Sequence, residues 1–356
     1  MQHIDSRHYQ TLDGLRGVAA AIVLLHHASS LYSGVTITPH GFLAVDFFFM
    51  LSGFVLSKAY WSRLQTMSVS QFFVLRLVRL MPMIILAAIC GFLIIIWVDP
   101  PMLAPVNLAI ATTNALVLPW PLKSDLGYGS WPLNPPTWSL FYEIWGGMLL
   151  VIAARYLQLR HIAAVCGLAA IGLIVFGIIR GNIDVGPHLR HAPIAAMRFI
   201  LTFGIGMMLF HLRHRFHVKV AKIVPYVALV AVLASPVLSY PLADLLLVLI
   251  SVLVVFPLII VAAYGAEKPG AHSTIEKLAG AFSYPLYIVH WNIAIFAKVT
   301  VGHYGFATYL IVCVAASLSA AFLSLRFYDE PLRGVLGKVV KRSLPAPTIN
   351  AQPLSH

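Results

Sequence analysis

LRGVAAAIVLLHHASSLY, residues 15–32, is the stretch on which the fold turns. It comes close to the roughly 20 apolar residues that a membrane-spanning helix requires. Its apolar side chains do not alternate with polar ones, so a barrel strand is excluded. Arg16 opens the run, and His26 and His27 lie near its end. The preceding MQHIDSRHYQTLDG is polar and no small-residue cleavage site follows, so the run reads as a retained first span and not as a removed leader.

Working outward, runs of the same kind occur at Gly41–Ser57, Leu80–Val98, Thr137–Ala154, Ile162–Ile179 and Ile194–Leu212. Four more stand at Ile223–Ser239, Leu242–Tyr264, Ala281–Val299 and Phe306–Phe327, which brings the expectation to about ten spans. Composition agrees: the 356 residues are 60% hydrophobic and 10% charged, against roughly a quarter charged in an average soluble chain. A water-soluble globule is therefore excluded, and disorder fails because the chain has too much apolar surface to stay solvated. The expected fold class is all-α, a polytopic membrane helical bundle. Cys90, Cys166 and Cys313 lie inside apolar runs without motif spacing, and so give neither a disulfide framework nor a metal site.

An eleventh candidate, Leu103–Trp120, holds Asn107, Thr112, Thr113, Asn114 and two prolines. Charge parity decides against it. With ten spans both termini are cytoplasmic, and the inner segments collect Lys58, Arg63, Arg76, Arg79, Arg155, Arg160, Arg213, Arg215, Lys219, Lys222, Lys268, Lys277 and the basic residues from Arg326 to Arg342. The outer face keeps Lys123, Arg180, Arg190, Arg198 and Lys298. This asymmetry is the positive-inside rule, and the outer loop 100–136 is then expected to hold a re-entrant or surface helix. Most of the net charge of +12 is topology, and no basic run interleaved with aromatics points to nucleic acid. The expected organisation is a cytoplasmic segment 1–14, a transmembrane domain 15–330 and a disordered cytoplasmic tail 331–356.

Ionisable side chains are costly in hydrocarbon, so each is a functional candidate. At about 1.5 Å per residue, His27 lies roughly 18 Å up the first span, while Asp46 and Glu143 lie about 8 to 9 Å down theirs from the outer side. His290 falls near mid-membrane, so four titratable groups share one layer. Arg16, Arg76 and Arg79 gather at the inner boundary, where arginines grip phosphates with forked hydrogen bonds. A ligand joining the two layers needs a polyphosphate head and a long thin arm, the shape of coenzyme A. The plainer readings are a snorkelling anchor for Arg16, topology determinants for Arg76 and Arg79, and bundle-holding pairs for the carboxylates and histidines.

The residues also fall into blocks: LDGLRGVAAAIVLLHHA with Arg16 and His27, GFLAVDFFFMLSGFVLS with Asp46, Ser52 and Gly53, and FFVLRLVRLMP with Arg76 and Arg79. PPTWSLFYEIWGG follows with Trp138, Ser139 and Glu143, then FSYPLYIVHW with Tyr284, Tyr287 and His290, and the closing FYDEPLRG. In these six blocks the chain resembles the acyltransferase 3 family of membrane-bound acyltransferases. The resemblance implies a ten-span enzyme of the cell (inner or plasma) membrane that moves an acyl group, usually acetyl, from cytoplasmic acyl-CoA to an acceptor hydroxyl. Family acceptors are commonly cell-surface or lipid-linked carbohydrates, with antibiotics and other small molecules among them. No cofactor is held permanently; acyl-CoA is a co-substrate.

The roles expected are donor binding by Arg16, Arg76 and Arg79, and catalysis by His27 as general base or acyl-carrying nucleophile, with Glu143 or Asp46 orienting it. Trp138, Ser139, Tyr284 and His290 support them, and Ser139, Tyr142 and Trp138 are candidate oxyanion donors by position. The family position before the histidine is usually apolar or aromatic, whereas here it is His26. Many relatives carry an extracytoplasmic esterase-like domain after the last span, so action alone or with a separate extracytoplasmic partner is expected. The alternative from another class is a proton-coupled transporter using the buried His, Asp and Glu residues as a relay. Against it stand the lack of an internal repeat and the inner arginine cluster. A non-catalytic scaffold is the third reading.

Overall fold

The computed structural model describes residues 9–34, 36–60, 68–98, 105–122, 129–149, 156, 158–216, 218–267 and 273–343. Among them the architecture is all-helical, as expected. The helices are α1 (Gln10–Ser33), α2 (Ala44–Tyr60), α3 (Val69–Val98), α4 (Pro105–Ala115), α5 (Thr137–Phe141), α6 (Leu159–Arg180) and α7 (Ala192–Leu212). They continue as α8 (Ile223–Leu233), α9 (Pro241–Ile250), α10 (Phe256–Ala266), α11 (Thr274–Val301), α12 (Phe306–Ser324) and α13 (Glu330–Ser343). Single π-helical turns occupy Tyr142–Gly146, Ser251–Val255 and Leu325–Asp329.

Seven of the described segments are long and apolar enough to cross a membrane: Gln10–Ser33, Gly41–Lys58, Val69–Val98, Leu159–Arg180, Leu189–Arg215, Pro241–Ala266 and Phe306–Val340. They cover seven of the ten expected runs. The other three differ for separate reasons. α8 has 11 residues and stops before Pro236, which cannot continue a helix hydrogen-bond ladder. α11 has 28 residues, but Glu276, Lys277, His290, Asn292 and Lys298 interrupt its hydropathy. The Thr137 run is described only to residue 149, and it does not start at a boundary of the bundle, as shown below. α4, with 11 residues, is about half as long as a ~30 Å hydrocarbon core demands. It stands where a surface or re-entrant helix was expected.

Three boundaries need correction. α1 begins at Gln10, inside the segment 1–14 that was expected to precede the first span. α3 runs for 30 residues, and Arg76 and Arg79, expected in the inner segment ahead of the Leu80–Val98 run, lie within it. Residues 331–343, expected to be disordered, continue as α13; residues 344–356 lie outside the described residues, as do Arg63, Lys123, Arg155 and Lys268.

The bundle is organised by two close pairs, α1 along α11 and α2 along α7, with α6 and α12 packed on their outer sides. The α2–α7 pair depends on glycine. A Cβ on Gly53 would lie 2.0 Å from the Phe203 carbonyl oxygen, and one on Gly206 would lie 2.0 Å from that of Met50. The two backbones therefore meet directly, as small residues allow where helices have no hydrophobic drive to associate in lipid. That contact sets Asp46 on α2 opposite Arg198 on α7, each 1% exposed.

Candidate active site

The segment 129–136 determines where the chemistry sits. Ser130, Trp131, Leu133 and Asn134 are buried, and the Asn134 amide donates to the Ile288 carbonyl at 2.9 Å. Ile288 lies in the middle of α11, two residues before His290. The chain thus dips into the bundle before α5 begins, and Thr137 starts deep instead of at the surface. This corrects the depth assigned to Glu143. Six residues further on, within the π-turn Tyr142–Gly146, its carboxylate meets Arg76 at 2.5 Å and accepts from the Ser52 hydroxyl at 3.0 Å. Glu143 belongs with the arginines, and it does not orient His27. π-turns are frequent at functional sites, and Asp329 likewise lies in one, Leu325–Asp329.

Arg16, Arg76, Arg79, Ser139, Glu143 and Tyr284, drawn from four of the sequence blocks, line one cavity of about 170 Å³. Two residues that the depth argument had missed join them: Asp329 and Arg333, which pair at 2.9 Å. The signal was present in FYDEPLRG, but without the fold nothing pointed it at the other arginines. Arg16 pairs with Asp13 at 3.3 Å, and Tyr284 donates to the Leu80 carbonyl.

A second cavity of about 550 Å³ holds the histidines. His26, His27, Trp138, Arg198, Tyr287 and Trp291 line it, together with Arg180, Asp184, His188, Arg190 and His191. The two cavities share Val45 and Tyr287 as wall residues. The Tyr287 hydroxyl lies 2.7 Å from that of Ser139, and both reach the Pro136 carbonyl. The Phe48 ring stands edge-on to Tyr287, 5.6 Å between centroids. Tyr142 donates to the Ala192 carbonyl at 2.9 Å, so its hydroxyl is not free to serve as an oxyanion donor.

The partner of His27 is His290. His27 Nδ1 and His290 Nε2 are 2.8 Å apart, with the rings nearly parallel at 11°. His290 Nδ1 faces the Leu286 carbonyl at 3.2 Å. A carbonyl only accepts, so His290 carries its proton on Nδ1 and, when neutral, presents Nε2 as an acceptor. His27 must then donate from Nδ1, which leaves His27 Nε2 with a bare lone pair, the tautomer that a general base needs. His290 is fully buried and His27 half-buried. His26 donates from Nδ1 to the Thr38 carbonyl at 2.8 Å.

Asp46, expected beside His27, is also elsewhere. It takes two hydrogen bonds from Arg198, from Nε at 3.1 Å and from Nη2 at 2.5 Å. Arg198 Nη1 donates onward to the Val185 carbonyl. This buried pair ties α2, α7 and the loop 182–188 together, so Asp46 is placed to hold the bundle and not to orient His27. At that loop, burial and the neighbouring Arg190 lower the affinity of His188 for a proton below the ordinary imidazole value.

Fold and site together define a multi-pass membrane protein of helices, with an arginine-lined cavity and a histidine-lined cavity meeting at a common wall. Comparison places it more narrowly. The acyltransferase domain of the acyltransferase 3 family matches residues 9–326, and the chain belongs to that family and is an acyltransferase. It is similar to Protein 2 in picA locus of Rhizobium radiobacter, 37% identical over 147 residues, which cover 37% of this chain and 75% of that one. It is also similar to the peptidoglycan O-acetyltransferase OatA of Listeria monocytogenes, 30% identical over 162 residues, 41% of this chain and 25% of that protein. The match thus spans a quarter of OatA. No solved structure matches the chain.

Proposed function

We propose that the protein transfers an acetyl group from cytoplasmic acetyl-CoA to a hydroxyl of a cell-surface or lipid-linked carbohydrate. The observation that carries this reading is the shared wall: an arginine cavity and a histidine cavity separated by Val45 and Tyr287. Both termini lie on the cytoplasmic side in this reading, so the arginine cavity opens toward the donor. A volume of about 170 Å³ is too small for all of coenzyme A. The pantetheine arm occupies it, and the phosphates lie at its mouth against Arg16, Arg79 and Arg333. Arg76 is occupied by Glu143 and positions the wall of the channel.

The acceptor hydroxyl binds in the larger cavity beside His27. His27 Nε2 removes the hydroxyl proton as the oxygen attacks the thioester carbonyl, which reaches it past Tyr287. The new C–O bond forms, the C–S bond breaks, and the proton on His27 passes to the departing thiolate as coenzyme A. His290 steadies the imidazolium through its Nε2. OatA, named for O-acetyl transfer to peptidoglycan, supports a carbohydrate acceptor and an acetyl donor group.

Mass spectrometry of surface glycans and glycolipids from cells with and without the chain tests the reading. The expected result is one glycan species that loses an acetyl-sized increment on deletion and regains it with wild type, but not with His27→Ala. Unchanged glycans in every strain refute the carbohydrate acceptor.

A further inference from the structure

The histidine cavity holds more cation than acyl transfer to a neutral sugar requires. Three arginines line it: Arg180, Arg190 and Arg198. Arg198 is committed to Asp46 and to the Val185 carbonyl. Arg180 and Arg190 form no ion pair among the described residues, and Asp184 is the carboxylate of that lining. By charge parity these three are among five basic residues left on the outer face, where topology gives no reason to gather them around one cavity.

The backbone that carries the two arginines is anchored. Arg180 ends α6, and Gly181 follows in the left-handed region at φ 81, its N–H returning to the Gly177 carbonyl at 2.7 Å. The loop that leads on to Arg190 is pinned by Arg198 at Val185. It is pinned again by the dipping segment, where Ser130 N–H donates to the Pro187 carbonyl at 2.6 Å and the Ser130 hydroxyl accepts from Leu189 N–H at 3.0 Å. Both arginine side chains are exposed to the cavity mouth on this anchored backbone, and guanidinium groups match the paired oxygens of a carboxylate or phosphate. The volume of about 550 Å³ lies inside the usual range for ligand pockets.

We propose that the acceptor is an anionic carbohydrate, bound through a carboxylate or phosphate by Arg180 and Arg190 while the hydroxyl to be acylated lies at His27. The proposal rests on the acyltransferase reading of this cavity. His188 and His191, beside the arginines, supply hydrogen-bonding groups for the sugar ring.

The test uses the full chain in phosphatidylcholine nanodiscs, with three probes: tetragalacturonate, its carboxyl-reduced neutral counterpart and glucose 1-phosphate. At least one anionic probe binds about tenfold or more tightly than the neutral one, as charge-assisted hydrogen bonds allow, and added salt erodes the advantage. The Arg180→Ala/Arg190→Ala variant loses that preference yet still binds the neutral probe and acetyl-CoA, and Lys at both positions restores part of it. Equal binding of all three probes overturns the proposal, as does a preference that survives the double variant. Loss of the preference on moving to phosphatidylglycerol discs also overturns it, since the arginines then hold lipid headgroups. Acetyl-CoA binding and slow acetyl-CoA hydrolysis, read on the same sample, report separately on the acyltransferase reading.

Discussion

Replacing Asp46 by Asn preserves shape and leaves the Arg198 guanidinium buried without its carboxylate. Both side chains are 1% exposed and share two hydrogen bonds. Removing one partner of such a pair costs about 3–5 kcal/mol, and at about 1.4 kcal/mol per decade this is two to nearly four orders of magnitude in the folding equilibrium. Asp184 still acts on Arg198 electrostatically, which places the expected cost at the lower end. Thermal melting of the purified protein in detergent should therefore show a large fall for Asp46→Asn and a similar one for Arg198→Met. The double variant Asp46→Leu/Arg198→Met should recover most of the loss, because an apolar pair of similar volume removes the uncompensated charge. Acetyl transfer per folded molecule in Asp46→Asn should fall by far less than the roughly 10²- to 10⁴-fold expected for loss of an acid–base group. An Asp46→Asn protein that melts like wild type and yet is inactive refutes the structural assignment and returns Asp46 to the catalytic set.

Three further outcomes are expected. His290→Leu removes the acceptor for the His27 Nδ1 proton and should lower kcat about 10²-fold without moving the acetyl-CoA KM, whereas His290→Gln, whose side-chain oxygen accepts the same bond, should keep most of the rate. Arg76→Ala should weaken acetyl-CoA binding and destabilise the fold by stranding Glu143; adding Glu143→Gln should restore the melting temperature but not the donor affinity. Gly53→Val forces a Cβ to within 2.0 Å of the Phe203 carbonyl and should cost at least about 1–3 kcal/mol, while Gly147→Ala, with nothing within 4 Å of the added carbon, should melt close to wild type.

Hydropathy and charge carried the reading of this chain a long way. The all-helical class, seven spanning segments and the gathering of Arg16, Arg76 and Arg79 in one cavity were legible in the sequence. So was the layer that holds His27 and His290, because distance along a helix axis follows from residue count. Which residues touch within a layer did not follow. His27 and His290 pair because α1 lies along α11, while Asp46 points to α7, a rotational choice that a single span does not encode. Glu143 was misplaced because depth was counted from Thr137 as though Thr137 stood at the surface. The preceding segment is instead buried, and Asn134 is bonded at the level of Ile288. Its polar residues and prolines had marked an irregular outer loop, but only packing shows how deeply it dips.

The role of His27 in acetyl transfer is decided by transfer of radiolabelled acetyl from acetyl-CoA by the purified chain in proteoliposomes, with wild type, His26→Ala and His27→Ala compared at equal folded amounts. Wild type should label an added carbohydrate acceptor, His26→Ala should retain measurable transfer, and His27→Ala should lose roughly 10²- to 10⁴-fold while binding acetyl-CoA unchanged. Full transfer by His27→Ala, or labelling that does not depend on acetyl-CoA, contradicts that role.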